Sequence, residues 1–232
     1  MSRATPIWLF DLDNTLHDAS HAIFPAIAGN MNRYLADLLG DGLQPADEAT
    51  VNAVRQQYWA RYGATLLGVV KHHDVKAEDF LREAHRFDDL PDMIRAQRGV
   101  GRLLASLPGR KILLTNGPRQ YSQQVLRHLG LHRHFSQHIA IEEMRVHGQL
   151  QPKPSPQFLR KLLAQLKVDA RECILVEDTL ANLRAAKRLG LRTAWVTGYT
   201  QRAAHKNFAA CADVTVKSVL HLARHARRLY HR

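Results

Sequence analysis

The chain is poor in cysteine. Cys173 and Cys211 are its only two, with no CxxC spacing and no cysteine–histidine pattern, which argues against a zinc site and a disulfide framework and leaves two buried structural thiols. Long apolar runs are lacking as well. None approaches the ~20 residues that span a bilayer, and the N-terminal stretch is too short and too soon acidic for a secretory signal. The expectation is a cytoplasmic protein with no membrane partner. Internal repeats, low-complexity tracts and nucleic-acid recognition modules are missing too. Acidic residues are in deficit: 21 Asp and Glu face 33 Lys and Arg, a formal net charge of +12. Such an excess attracts nucleic acid, or a smaller anion such as a phosphate ester. A third of it lies in the tail "LARHARRLYHR", with four arginines and no acid, where Leu222, Ala226, Leu229 and Tyr230 supply an apolar stripe between arginines. The pattern predicts a C-terminal helix packed on the domain with a solvated basic face. A basic protein that binds nucleic acid through this helix is the competing, non-enzymatic reading.

What the chain does have is a rhythm of strands and helices. Its 232 residues suffice for one large domain with an insertion. Six short apolar runs read as buried parallel strands: "PIWLFD" (6–11), "RKILLTN" (110–116), "HIAI" (138–141), "ECILVED" (172–178), "RTAWVTG" (192–198) and "DVTVKS" (213–218). Helical spacing fills the later intervals in "RQYSQQVLRHLG", "SPQFLRKLLAQLKV" and "TLANLRAAKRLG". Alternation of this kind predicts an α/β fold, a doubly wound, mostly parallel Rossmann-like sheet with helices on both faces. Residues 17–97 break the rhythm with helical patterns and no convincing strand, too long for an ordinary βα connection. They are expected to form an inserted α-helical subdomain, placed as a lid, on a core of residues 1–16 and 98–232.

Three predicted strands end in polar residues: Asp11 and Asp13, Thr115 and Asn116, Glu177 and Asp178. Asp11 and Asp13, two apart, project to the same side of an extended chain. Parallel strands bring all these ends to one edge of the sheet, and Lys153 in "QPKPSP" stands just before a helix. A calcium loop is the rival reading of the acid pair, but its sixth and twelfth positions hold Leu16 and Ala22 instead of glycine and an acid. Three carboxylates suit a hard divalent cation, while a hydroxyl, an amide and a lysine suit a phosphoryl group. The set describes a metal-assisted phosphoryl-transfer site.

In order and spacing, "DLDNT" (11–15), "LLTN" (113–116), Lys153 in "KP" and "VED" (176–178) resemble the four motifs of the haloacid dehalogenase (HAD) superfamily, in the subfamily with a helical, C1-type cap inserted after the first motif. The likeness spans about residues 6 to 200. It implies Asp11 as a nucleophile that forms an aspartyl-phosphate and Asp13 as the acid/base. It also implies magnesium (Mg2+) held by Asp11, the backbone carbonyl of Asp13 and Asp178, with Glu177 close behind. Thr115, the amide of Asn116 and Lys153 would hold the phosphoryl group. Asp13 favours a phosphatase or phosphomutase, because dehalogenase members lack an acid/base aspartate there and ATPase members carry threonine. Asn14 replaces a common glycine, and asparagine tolerates the left-handed backbone such a turn needs. "RYGATLLGVVKHHDV", with "FDLDNTL" and "LPGRKILLTNGP", is further similar to the pyrimidine 5'-nucleotidases of the superfamily. That likeness implies a small phosphorylated metabolite as partner, a pyrimidine nucleoside 5'-monophosphate, with Tyr62, His72, His73 and Phe87 of the cap as candidate contacts to the base. Sugar phosphates, phosphoglycolate or a phosphomutase reaction stay open alongside it. Oligomeric state is not legible.

Overall fold

The structure, a computed structural model, describes residues 5–200 and 211–230. The chain divides into two compact units, one running up to Ser20 and resuming at Ile94, the other being His21–Met93. Residues 17–20 and 94–97 therefore side with the core, a few residues inside the boundaries expected of the insertion. Local hydrogen bonds account for the difference. The Asn14 side chain accepts from the amides of Ala19 and Ser20, and the Asp18 amide donates to the Arg95 carbonyl at 2.7 Å.

The second unit carries helices α1 (Ile23–Leu39), α2 (Glu48–Tyr62), α3 (Thr65–His72), α4 (Ala77–Ala84) and α5 (Leu90–Met93). Asp47 caps α2 by accepting from the Thr50 amide, and Gly63 closes it in a left-handed conformation. Helix α3 escapes sequence reading because Gly68, Val69 and Val70 are weak helix formers. Packing makes it: a Cβ at Gly68 would lie 2.2 Å from the Tyr58 ring, so only glycine lets the two helices approach this closely.

The core unit holds strands β1 (Ile7–Phe10), β2 (Arg110–Leu114), β3 (Gln137–Ile139), β4 (Arg145–Val146), β5 (Gln149–Leu150), β6 (Cys173–Glu177), β7 (Arg192–Val196) and β8 (Val214–Val216). Its helices are α6 (Val100–Ser106), α7 (Arg119–His128), α8 (Pro156–Leu166), α9 (Leu180–Arg188) and α10 (Leu222–Tyr230). Six strands form one sheet in the order β3-β2-β1-β6-β7-β8, and every pairing in it is parallel. These are the six apolar runs read as strands. The short hairpin β4–β5 was not legible, since two-residue strands carry no periodicity; its turn residues His147 and Gly148 both adopt positive φ.

Parallel strands need cover on both faces, and β1 shows how it is supplied. Ile7 and Leu9 point into a cluster with Phe158, Leu159 and Leu162 of α8 and Leu183 and Ala186 of α9. Trp8 and Phe10 point the other way, Trp8 edge-on to Tyr230 of α10 and Phe10 edge-on to Phe135. Leu222, Ala226 and Leu229 are buried, while Arg224, Arg227 and Arg228 stay exposed. The C-terminal helix is thus a packed element with a solvated basic face; the last two residues of the tail lie outside the described residues. Among the described residues, no helix is long and apolar enough to cross a membrane.

Candidate active site

Strand β1 sits where the winding of the sheet reverses. Beyond it β2 and β3 run to one side and β6, β7 and β8 to the other, and a parallel sheet opens a crevice at the carboxyl ends of the strands at such a point. Phe10 is level with Leu113 of β2 and Val176 of β6, so Asp11, Thr115 and Glu177 emerge at one edge. The Asp11 amide donates to the Val176 carbonyl at 3.0 Å, anchoring the first residue beyond β1 to its neighbour. A tight turn follows, with the amides of Thr15 and Leu16 both donating to the Leu12 carbonyl. Asn14 occupies it at φ 58°, the left-handed conformation that asparagine was expected to tolerate.

A buried lysine binds the strand ends together. Lys153 Nζ donates to Asp11 Oδ1 at 2.7 Å and to Glu177 Oε2 at 2.8 Å, and all three side chains are almost wholly shielded. Thr15 Oγ1 donates to the other Asp11 oxygen at 3.1 Å. The loop that delivers Lys153 is itself fixed: the Asn116 amide group donates to the Lys153 carbonyl, and the Lys153 amide donates back to Asn116 Oδ1. Ser155 then caps α8, accepting from the Phe158 amide, with Pro156 preset for the first turn. Glu177 Oε1 accepts from the Thr179 amide, and Asp178 Oδ1 from the Thr179 hydroxyl. Thr115 is buried beside this group, its hydroxyl accepting from the Gly117 amide at 3.0 Å.

Charge in this cluster is unbalanced. Burial, then the Glu177 charge, pushes Asp11 up to about 7 against the pull of Lys153. Burial, then Asp11 and Glu177, pushes Asp178 up to about 9. Burial also works against the Lys153 ammonium, but Asp11 and Glu177 outweigh it and hold the group above its ordinary range. One oxygen from each of Asp11, Glu177 and Asp178 lies within 4.8 Å of the others. Three hard oxygen donors against a single lysine fit a divalent cation, which would restore neutrality and hold the acids ionised.

Asp13 stands apart from the lysine. Its Oδ1 receives the Tyr121 hydroxyl and the His17 ring nitrogen Nε2, the latter at 2.9 Å. Burial, then the charge of Asp13, raises the Tyr121 phenol well above its ordinary 10.0, so it remains a donor. Neither partner was foreseen. His17 left one faint signal, a histidine four places after Asp13; Tyr121, 108 residues from Asp13, left none.

The structure brings Asp11, Lys153, Asn116, Glu177 and Asp178 into one bonded cluster, with Thr115 and Asp13 beside it. The four cap residues do not form a single group. Tyr62 and His72 bond each other, hydroxyl to Nε2, at 2.6 Å, and Tyr58 links to His73 at 2.8 Å while stacking on His72. Phe87 instead lines a cavity of about 980 Å3 within the cap, with Tyr34, Arg33 and Arg86.

Comparison with known proteins gives the family and the fold. Residues 7–190 match the haloacid dehalogenase-like hydrolase family. A phosphoglycolate phosphatase of Mesorhizobium japonicum is 30% identical over 212 residues, covering 87% of this chain and 86% of its own. The validoxylamine A 7'-phosphate phosphatase of Streptomyces hygroscopicus is 27% identical over 188 residues, covering 79% and 81%. A HAD phosphatase from Thermococcus onnurineus shares the fold with a TM-score of 0.62 at 19% identity, over 94% of this chain and 96% of the other. The chain belongs to the haloacid dehalogenase-like hydrolase family.

Proposed function

We propose that the protein is a cytoplasmic, magnesium-dependent phosphomonoesterase that works through an aspartyl-phosphate on Asp11. The observation that carries this reading is the bonding of Asp11 to Lys153 and Thr15 at the reversal of the sheet, with a second carboxylate, Asp13, held separately two residues on. Asp11 is aimed from two sides, as a nucleophile must be. One Asp11 oxygen attacks phosphorus while Asp13 gives a proton to the departing alcohol oxygen; Asp13 then takes a proton from the water that cleaves the acyl phosphate. Lys153, the Thr115 hydroxyl and the Asn116 backbone amide hold the phosphoryl oxygens. Asp11, Asp178 and the Asp13 carbonyl would hold Mg2+, with Glu177 behind them, and the ion supplies charge neutralisation there.

For substrate, the pyrimidine nucleoside 5'-monophosphates follow from the motif likeness, with Tyr62, His72, His73 and Phe87 as the cap residues to test. A second reading, phosphoglycolate or a sugar phosphate, is favoured by the phosphatases among the relatives. A phosphate-release screen with magnesium separates them. Preference for UMP or CMP supports the first, preference for phosphoglycolate the second, and no release from any monoester contradicts both.

The cation requirement makes a prediction about stability. Without metal, folded Asp11 and Asp178 keep protons to about 7 and about 9 that their unfolded forms lose near 3.8. Across that window the native state binds more protons than the unfolded state, so stability of the metal-free protein falls as pH rises. Magnesium binds the ionised acids and opposes the fall. Melting temperatures at pH about 5 and about 8, with and without magnesium, test it: the metal should raise the melting temperature more at the higher pH. An equal effect of magnesium at both would contradict the assignment.

A further inference from the structure

Two side chains from different elements converge on one oxygen of Asp13. His17 comes from the turn after β1 and reaches Oδ1 with Nε2 at 2.9 Å; Tyr121 comes from the first turn of α7 and reaches the same atom with its hydroxyl. Both are deeply buried, His17 completely. The tautomer with hydrogen on Nε2 is assigned from this network, and it leaves His17 Nδ1 a buried acceptor with no hydrogen-bond partner. An apolar side chain at position 17 would fill the space without that orphaned nitrogen, so what the imidazole contributes here is its bond to Asp13.

From this convergence we infer that His17 and Tyr121 are positioning residues for Asp13, fixing the plane of its carboxyl so that it meets the leaving-group oxygen. The inference rests on Asp13 being the acid/base. An aspartate carboxyl turns through a broad, two-fold torsion, and one hydrogen bond leaves it free to swing about that bond. Two bonds to one oxygen, from directions set by β1 and by α7, remove the freedom. Proton donation needs heavy atoms within hydrogen-bond reach and alignment, so a swinging carboxyl is a poor acid even where its chemistry is intact. Asp11 has its own anchors, Lys153 and Thr15, and does not depend on this pair. Losing either anchor should therefore impair donation to the departing alcohol and spare attack on phosphorus.

Leaving-group dependence separates those two steps. The ratio kcat/KM reports events up to release of the alcohol. For 4-nitrophenyl phosphate the departing phenolate is stable without a proton; for UMP, or phosphoglycolate where the screen prefers it, an alkoxide must be protonated as it leaves. In Tyr121→Phe and His17→Leu, kcat/KM for the alkyl ester should fall roughly 10- to 100-fold while that for 4-nitrophenyl phosphate stays within about two-fold of the parent. Retained nitrophenyl turnover shows at once that the fold and the Asp11 machinery are intact. His17→Gln, whose amide can donate from near the Nε2 position, should recover much of the loss. Equal losses on both esters, or none on either, would overturn the inference. Asp13→Asn in the same assay guards the reading beneath it. If Asp13→Asn shows no leaving-group dependence, the acid role itself fails; if it does and the two anchor variants do not, only their positioning role fails.

Discussion

Asp11→Asn should release phosphate from no substrate at a measurable rate, a loss on the order of 10⁴-fold or more in kcat. Asparagine keeps the shape of the side chain, and its Oδ1 can still accept from Lys153, so the strand end should keep its geometry. What it lacks is a negative oxygen able to attack phosphorus. The magnitude follows from how slow the uncatalysed reaction is: phosphate monoester hydrolysis calls for accelerations of up to ~10²¹, and a covalent relay is a large share of any such gain. Stability should move the other way. Burial and Glu177 oppose the Asp11 charge, so the metal-free variant should melt no lower than the parent at neutral pH. Phosphate release measured beside thermal melts separates lost chemistry from lost fold. Turnover like the parent's in a folded Asp11→Asn would remove the nucleophile from the account.

Lys153→Met should damage both fold and activity. The ammonium is the partner of two buried carboxylates, Asp11 and Glu177, and methionine replaces it with an apolar chain of similar length. Breaking a buried ion pair from one side leaves uncompensated charge and typically costs about 3–5 kcal/mol. Protonation of Asp11, whose carboxyl already sits up to about 7, should soften the loss in acid and sharpen it above neutrality. The variant also removes a cation from the phosphoryl site, a loss of about 10²- to 10³-fold in kcat on the scale of other charge-stabilising donors. Urea unfolding at two pH values and kcat with magnesium present check the two effects separately. A variant as stable as the parent at high pH would mean that Lys153 does not neutralise the cluster.

Much of the site was legible because its residues follow apolar strands. Asp11, Thr115 and Glu177 each stand at the end of a run such as "WLF" or "ILLT", and parallel pairing carries strand ends to one edge. Asn14 was legible as a turn residue from its tolerance of positive φ. The contacts of Asp13 were not. Tyr121 lies on a helix whose sequence speaks only of amphipathic spacing, and nothing local says that one of its faces meets the turn after β1. The second use of Asn116 was hidden for the same reason: its side chain ties down the Lys153 loop 37 residues away. Helix α3 stayed hidden because its formation depends on Gly68 meeting Tyr58, a tertiary fit that overrides weak local propensity. Local chemistry carried the strand ends, and distant packing supplied what aims them.

Turnover should pass through a covalent phosphoryl group on Asp11. Enzyme caught during turnover of 4-nitrophenyl phosphate with magnesium, quenched in acid and reduced with borohydride, should carry homoserine in place of aspartate at position 11, seen by peptide mass mapping. The same treatment without substrate should leave Asp11 unchanged. Reduction at any other carboxylate, or none at Asp11 while phosphate is being released, would contradict the account.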